Sequence, residues 1–386
     1  MAIIDLSMGI IGLASLIIAA GCGFMTLVAV LVWQRRKTPP ELERPPPVSI
    51  LKPLCGAEPG LYENLRSFCQ QDYPEYQLVF GVLDPHDPAL AVVKRLMAEF
   101  PSLPIDVVID QRQHGSNCKV SNLINIIARA RHDVLTMADS DAYVGPDYLR
   151  IVTAPLRDRG VGLVTCLYHA VPTRLMCSRL GAMYVNEWYI PSVLLAWLFG
   201  YQGYVSGQTL CVRRETLEMI GGLQGIASYL ADDHRLGELV RELGLRIVLS
   251  SYVPSAEHHE PSFGSLIRHE VRWMRTIHVL RPRSFYFVFL TFTLPLALFG
   301  IVLAGGARLI ATPAWALFGI VIGARLALYL AHRPHRDGRL LRDLWLLPCR
   351  DLLLLWVWYR SLFTSRITWR GNEFDVDVTG IMRRLS

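Results

Sequence analysis

Residues 8–33 run without a single charged side chain. As a helix, that run is long enough to cross about 30 Å of hydrocarbon. Lipid offers no partner to free backbone amides, so a helix is the form such a run must take there. Asp5 precedes it with no Lys or Arg, and Gln34-Arg35-Arg36-Lys37 follows. The positive-inside rule then puts the N-terminus outside and the next domain in the cytoplasm. A cleaved signal peptide fits less well, because the cationic n-region is missing and the run is too long. Ala19-Ala20-Gly21-Cys22 is only a faint echo of a lipoprotein cleavage box.

Residues 34–47 read as a juxtamembrane spacer, stiffened by prolines from 38 onward. Strong apolar character returns after Arg283, and residues 285–304 and 312–331 are each predicted to span, with a turn around Gly305-Gly306-Ala307-Arg308. Going out and back leaves the basic segment 332–342 inside. Residues 343–363 are rich in Leu and Trp but carry Arg350 and Asp351 at their centre, a costly place for charge in a span. An amphipathic helix lying in the interface is therefore preferred to a third C-terminal span. A basic tail, 364–386, closes the chain.

Apolar residues make up 52% of the 386 residues and charged residues 19%. The net charge is only +6, and arginines cluster beside apolar segments. That suits an anionic membrane surface and argues against nucleic acid as a partner. The eight cysteines are scattered with no CxxC pair, so they read as reduced core thiols, not a zinc site or disulfide frame.

Between the apolar ends, residues 48–283 alternate short β-branched runs with helical stretches. Strands are predicted at 48–51, 77–83, 105–109 and 134–138, and helices at 61–70, 89–99 and 120–130. This rhythm predicts an α/β domain with a mostly parallel sheet and helices on both faces. Ligands of such sheets bind beyond the carboxyl ends of the strands. Asp84 and Asp139 fall just past two of those ends.

Asp139-Ser140-Asp141 presents two carboxylates one residue apart, a pattern suited to Mg2+ or Mn2+ and a diphosphate. A solvated turn is the ordinary alternative. Asp84 is a candidate nucleotide contact, while Asp87 fits a cap for the helix starting near Ala89. Lys119 and Asn122 open the helix before Asp139, where phosphate or ribose oxygens bind favourably; Ser121 as a plain N-cap is the competing reading. Asp232-Asp233 follows Gly221-Gly222-Leu223. Asp233 is the candidate general base, with Asp232 capping a helix over 234–243. Arg272 is a candidate clamp on a diphosphate and Trp273 a flat wall for sugar or lipid. Arg268, Arg272 and Arg275 also fit a basic amphipathic face near headgroups.

Taken together, these residues resemble the inverting, family-2-like glycosyltransferases of GT-A fold. The nearer likeness is to the ceramide glucosyltransferase family and its bacterial relatives. It rests on Ile50-Leu51-Lys52-Pro53-Leu54, Ser67-Phe68-Cys69-Gln70-Gln71-Asp72-Tyr73-Pro74, Lys119-Val120-Ser121-Asn122-Leu123 and Ala231-Asp232-Asp233, with an echo at Thr368-Trp369-Arg370-Gly371. The resemblance implies Asp84 at the uridine, Asp139 and Asp141 at the metal, Asp233 as base, and Arg272-Trp273 completing a Q/RxxRW signature. His269 departs from that signature, standing where Gln or Arg is usual.

The implied enzyme is a membrane-bound, metal-dependent hexosyltransferase using a UDP-sugar and a lipid acceptor. Within the bacterial relatives the text looks most like the hopanoid branch, which implies N-acetylglucosamine transfer to bacteriohopanetetrol at the inner membrane. Ceramide glucosylation is the alternative. A polysaccharide synthase is more distant, and a catalytically dead scaffold would have no reason to keep all these residues together.

Overall fold

The computed structural model describes residues 2–36, 38, 43–304, 310–331, 343–369 and 371–385. The turn near Gly305, the basic segment 332–342 and part of the proline spacer lie outside them. The chain divides into two units. One comprises Met1–Arg36, Arg174–Tyr201 and Glu260–Thr368; the other comprises Lys37–Thr173, Gln202–His259 and Trp369–Ser386. The domain expected at 48–283 is thus interrupted: 174–201 and 260–283 belong with the apolar helices, and the tail belongs with the sheet.

The sheet unit holds β1 (Val48–Pro53), β2 (Tyr76–Val82), β3 (Ile105–Ile109), β4 (Val134–Met137), β5 (Ala142–Tyr143), β6 (Val161–Thr165), β7 (His169–Pro172), β8 (Leu210–Arg213), β9 (Arg246–Leu249) and β10 (Ser255–His258). The main sheet has seven strands in the order β3-β2-β1-β4-β8-β6-β9. β1, β2, β3 and β4 pair in parallel, as do β6 and β9. β8 runs antiparallel to both β4 and β6, so the sheet is mixed beyond β4. Strand order reverses between β1 and β4, which opens a crevice at their carboxyl ends. A small second sheet has the order β5-β10-β7.

Side chains alternate across the sheet as the pleat requires. Ile50, Leu78, Phe80 and Val134 enter one core with Leu65, Phe68 and Val93 from the helices Leu61–Cys69 and Ala89–Glu99. Leu51, Val79, Leu135 and Met137 enter the other with Val120, Leu123, Leu236 and Val240 from Cys118–Ile127 and Asp232–Glu242. Both faces are covered, which accounts for the continuous apolar text of the inner strands.

In the helical unit, two helices are long and apolar enough to cross a bilayer: Ser7–Gln34, with mean hydropathy 2.4, and Ala311–Ala331, with 1.8. The expected span 285–304 is shorter than predicted. Pro282–Phe285 and Val288–Thr291 are separate short turns, and the helix proper is Thr293–Ala304, of 12 residues. At 1.5 Å per residue its described part covers about 18 Å. Gln34 Nε2 donates to the Ala331 carbonyl at 2.6 Å, so the C-terminal ends of the two long helices lie at one level.

The long N-terminal helix meets Thr293–Ala304 at a pair of glycines. A Cβ on Gly12 would lie 2.5 Å from the Gly300 oxygen, and one on Gly300 would lie 2.7 Å from the Gly12 oxygen. Small residues let apolar helices approach this closely where lipid supplies no hydrophobic drive. Gly12→Val is therefore expected to lower the unfolding midpoint of the detergent-solubilised protein, at a cost of about 1–3 kcal/mol for forced overpacking. A midpoint equal to the parent's would mean that the backbones do not touch there.

Candidate active site

The site is assembled where β1 and β4 end. Asn117 caps the helix Cys118–Ile127, its side-chain oxygen accepting from Val120 N at 3.2 Å. The cap is thus Asn117 and not Ser121, whose Oγ instead accepts from His114 N at 3.0 Å. Lys119 falls in the first turn, and its Nζ meets Asp139 Oδ1 at 2.5 Å. Burial works against the Lys119 charge, but Asp139, Asp232 and Asp233 outweigh it and hold the ammonium above its usual range.

Asp139 and Asp141 follow β4 directly. Gln208 Nε2 donates to Asp141 Oδ1 at 3.1 Å. Burial, then the neighbouring Asp139 charge, pushes the Asp141 carboxyl up to about 6. Gln208 Oε1 is buried without a hydrogen-bond partner. Two carboxylates and an unsatisfied amide oxygen form an oxygen-only donor set, which suits a hard cation such as Mg2+ or Mn2+. These residues fit the cation that the resemblance implies.

Lys52, at the end of β1, is fully buried. Its Nζ donates to the Asp139 carbonyl at 2.5 Å and sits 3.7 Å from the Phe68 ring centre. Burial pushes it down to about 7 even with Asp141 and Asp139 nearby. The motif text around Lys52 was noticeable in the sequence. Its task was not, because nothing local shows that β1 ends beside β4.

Asp232 and Asp233 occupy the first turn of Asp232–Glu242, which begins two residues earlier than expected, with no side-chain cap. Asp232 Oδ1 accepts from Asn117 Nδ2 at 3.3 Å. Asp233 Oδ2 accepts from Gly207 N at 3.0 Å, and its Oδ1 from His234 N at 2.7 Å. Burial, then the Asp232 charge, raises Asp233 to about 7. Gly207 sits at the middle of the cluster: a Cβ there would lie 2.5 Å from Lys119 Nζ and 3.2 Å from Asp139 Oδ2. Neither Gly207 nor Gln208 carried any sequence signal, since each matters only through its neighbours in space.

Two of the expected contact residues also bond the chain around them. The Asn122 amide donates to the carbonyls of Gly81 (2.8 Å) and Leu54 (3.3 Å). Its Nδ2 thereby ties the ends of β1 and β2 together, while its Oδ1 is buried without a hydrogen-bond partner. Asp84 lies exposed past β2, its Oδ1 accepting from His86 N at 2.8 Å. The N-cap of Ala89–Glu99 is Pro88 and not Asp87, which one residue earlier accepts from Ala89 N at 2.8 Å and from Gly56 N.

Arg272 and Trp273 lie in the other unit, on Phe263–Leu280. There the anomalous His269 has a clear partner: its Nδ1 bonds Glu260 Oε1 at 2.6 Å, and its ring centre lies 4.1 Å from that of Trp273. Burial lowers the His269 pKa. Tyr184 packs on the Trp273 ring at 5.3 Å. His269 thus orients the tryptophan locally, a role available to an imidazole.

A largely parallel sheet with acidic residues gathered past its central strand is a GT-A-like arrangement. The same fold is seen in a mannosyltransferase from Pyrobaculum calidifontis solved with GDP-Man and Mn2+. It shares 19% identity and a TM-score of 0.58 over 92% of this chain and 99% of that one. The sequence matches the family described as Glycosyl transferase family 21 over residues 13–382, and the chain belongs to it. It is therefore a glycosyltransferase. Similar proteins include ceramide glucosyltransferase 3 of Caenorhabditis elegans, 24% identical over 86% of this chain and 73% of its own length. A ceramide glucosyltransferase of Pyricularia oryzae is 22% identical over 86% and 84%.

Two measurements follow from this geometry. Gly207→Ala is expected to part Lys119 from Asp139 and lower turnover about 100-fold, with only a small change in melting temperature; undiminished turnover would show that the cluster tolerates the methyl. Asp233→Asn addresses stability. The folded pKa of Asp233, about 7, lies above its ordinary 3.8, so its contribution is full below pH 4 and lost as pH rises through 7. In chelator, Asp233→Asn should match the parent's melting temperature near pH 4 and exceed it above pH 7. A constant offset at all pH values would contradict the raised pKa.

Proposed function

We propose that this chain transfers a hexose from a UDP-sugar to a hydroxyl of a membrane lipid, with inversion at the anomeric carbon. One observation carries the reading: Lys119, Asp139, Asp141, Asp232 and Asp233 converge at the carboxyl end of β4 in a family 21 chain. Asp84 is assigned the uridine, and Lys119 the diphosphate beside Asp139. Asp139 and Asp141, with Gln208, would hold the cation, which when bound supplies positive charge to the leaving diphosphate. Asp233 takes the proton of the acceptor hydroxyl as its oxygen attacks the anomeric carbon in line and UDP departs. A carboxylate raised toward neutrality by burial and a like charge is suited to that proton transfer. The roles of Arg272 and Trp273, clamping the leaving diphosphate and walling the acceptor, rest on the motif text.

The apolar helices Ser7–Gln34 and Ala311–Ala331 support a membrane location, with exposed Ile10, Ile17, Phe24, Trp315 and Ile320 facing outward. Arg36 lies over the rings of Trp33 and Trp197 at 4.5 and 5.0 Å, an arrangement typical of the interface level. The tail strands Asn372–Val376 and Met382–Arg384 fall in the sheet unit. This favours an interfacial Leu346–Ser361 over a third crossing that would carry the tail to the opposite side.

For donor and acceptor, the curated relatives favour UDP-glucose and ceramide. The second reading, N-acetylglucosamine and bacteriohopanetetrol, is favoured by the motif text shared with bacterial relatives. The deciding assay offers both UDP-sugars against both lipids to detergent-purified protein with Mn2+ or Mg2+, reading products by mass spectrometry. Glucosylceramide is the expected product; N-acetylglucosaminyl-hopanoid would replace it with the second reading. In the productive pair, Asp233→Asn should abolish turnover while retaining UDP-sugar affinity, and the parent's rate should fall as pH drops below about 7. Loss of donor binding in Asp233→Asn would remove Asp233 as the base.

A further inference from the structure

We infer that the C-terminal hairpin is a positioning element of the active site, holding the loop that delivers Asp232 and Asp233. The hairpin pairs Asn372–Val376 with Met382–Arg384, Phe374 opposite Arg384 and Val376 opposite Met382. Phe374, Val376 and Met382 are buried, so the segment is anchored by apolar contacts.

The turn of the hairpin meets the loop before the helix Asp232–Glu242. Leu230 N donates to the Gly380 carbonyl at 2.9 Å, and Met382 N donates to the Ser228 carbonyl at 2.8 Å. Tyr229 and Ile381 form an antiparallel bridge between them. On its other side the same loop grips Asn117. Asn117 N donates to Ala227 O at 2.8 Å, and its Nδ2 donates to Tyr229 O at 2.9 Å and to Asp232 Oδ1. Ser116 Oγ closes the set, donating to the Met382 carbonyl at 2.7 Å. Segments remote in sequence, around 116, 229 and 381, interlock mainly through backbone groups. Lys119, Asp232 and Asp233 all emerge from that knot.

The turn itself is built by one carboxylate. Asp377 Oδ1 accepts from Thr379 N (2.8 Å), Thr379 Oγ1 (2.6 Å) and Ile381 N (3.1 Å). This arrangement aims the Gly380 carbonyl and the Met382 amide at the loop. None of these residues faces the reacting atoms. They act by setting where Asp232 and Asp233 stand, and a displacement of about 1 Å at such groups costs on the order of 100-fold in rate.

The inference rests on the reading of Asp233 as base, and its test separates the two. Ser116→Ala and Asp377→Ala are made singly and together in the full chain, beside the conservative pair Ser116→Thr and Asp377→Asn. Each is assayed for kcat, KM for the UDP-sugar and melting temperature. The Ala pair is expected to lose at least about tenfold in kcat with donor KM within about twofold, because the nucleotide residues Asp84 and Asp139 are untouched. The conservative pair should recover most of the rate. A kcat equal to the parent's in the Ala pair, with Asp233→Asn inactive, would overturn this inference alone. Parallel decline of kcat, donor binding and melting temperature in both pairs would overturn it too, as plain loss of fold. An active Asp233→Asn would overturn the base reading and this inference with it.

Discussion

Four carboxylates crowd the end of β4, and the structure depends on two lysines to keep them there. Burial first, then the neighbouring charges of Asp139 on Asp141 and of Asp232 on Asp233, raises Asp141 and Asp233 above the usual carboxylate range. Lys119 answers the charge with a side-chain ion pair, and Lys52 answers it from beneath through the Asp139 carbonyl. Gly207 leaves room at the centre, where a Cβ would force Lys119 Nζ to move. A site loaded with negative charge before any ligand arrives is poised for a cation. The raised pKa of Asp233 is what the proposed proton transfer rests on.

The helical unit solves a different charge problem by the same means. Arg350 and Asp351, which looked too costly for an apolar helix, are buried and paired. Arg350 makes two bonds to Glu270, at 2.6 and 2.8 Å. Asp351 takes two from Arg325, each 3.0 Å, and Arg325 reaches Glu187 at 3.2 Å. Glu187 lies in Val185–Tyr189, a widened helical turn between Met176–Tyr184 and Ile190–Leu198. Buried pairs of this kind add little net stability over apolar packing. Breaking one leaves a lone charge in an apolar surrounding, so they fix which helices meet and in what register.

Much of the sheet was readable because strand and helix periods differ and both cores are continuous. The helix Ala89–Glu99 and the strand Ile105–Ile109 fall where periodicity put them, and the other elements shift by a residue or a few. The antiparallel β8 was not readable: its pairing with β4 and β6 spans long stretches of chain and leaves no local pattern. Asp139 and Asp233 stood out as residue types at strand and helix ends. Lys119 stood out with them, but the contacts made by Lys52 and Gly207 did not, since a lysine in β1 or a glycine before β8 gains its meaning only once the sheet is ordered. Asn122 has a scaffold contact that the sequence does not show: its Nδ2 donates to two backbone carbonyls, those of Gly81 and Leu54.

What the sequence determined by itself was the chemistry on offer: an apolar run that only a helix can satisfy, an alternating domain, and carboxylates spaced for a cation. These follow from local spacing and from the cost of leaving backbone or charge unsatisfied. The tertiary structure decided which charges neutralise which, that residues 174–201 and 260–283 join the apolar helices, and that the tail folds back onto the loop before Asp232. Those outcomes are set by long-range packing and desolvation, which depend on every neighbour at once and so are written in no single stretch of the chain.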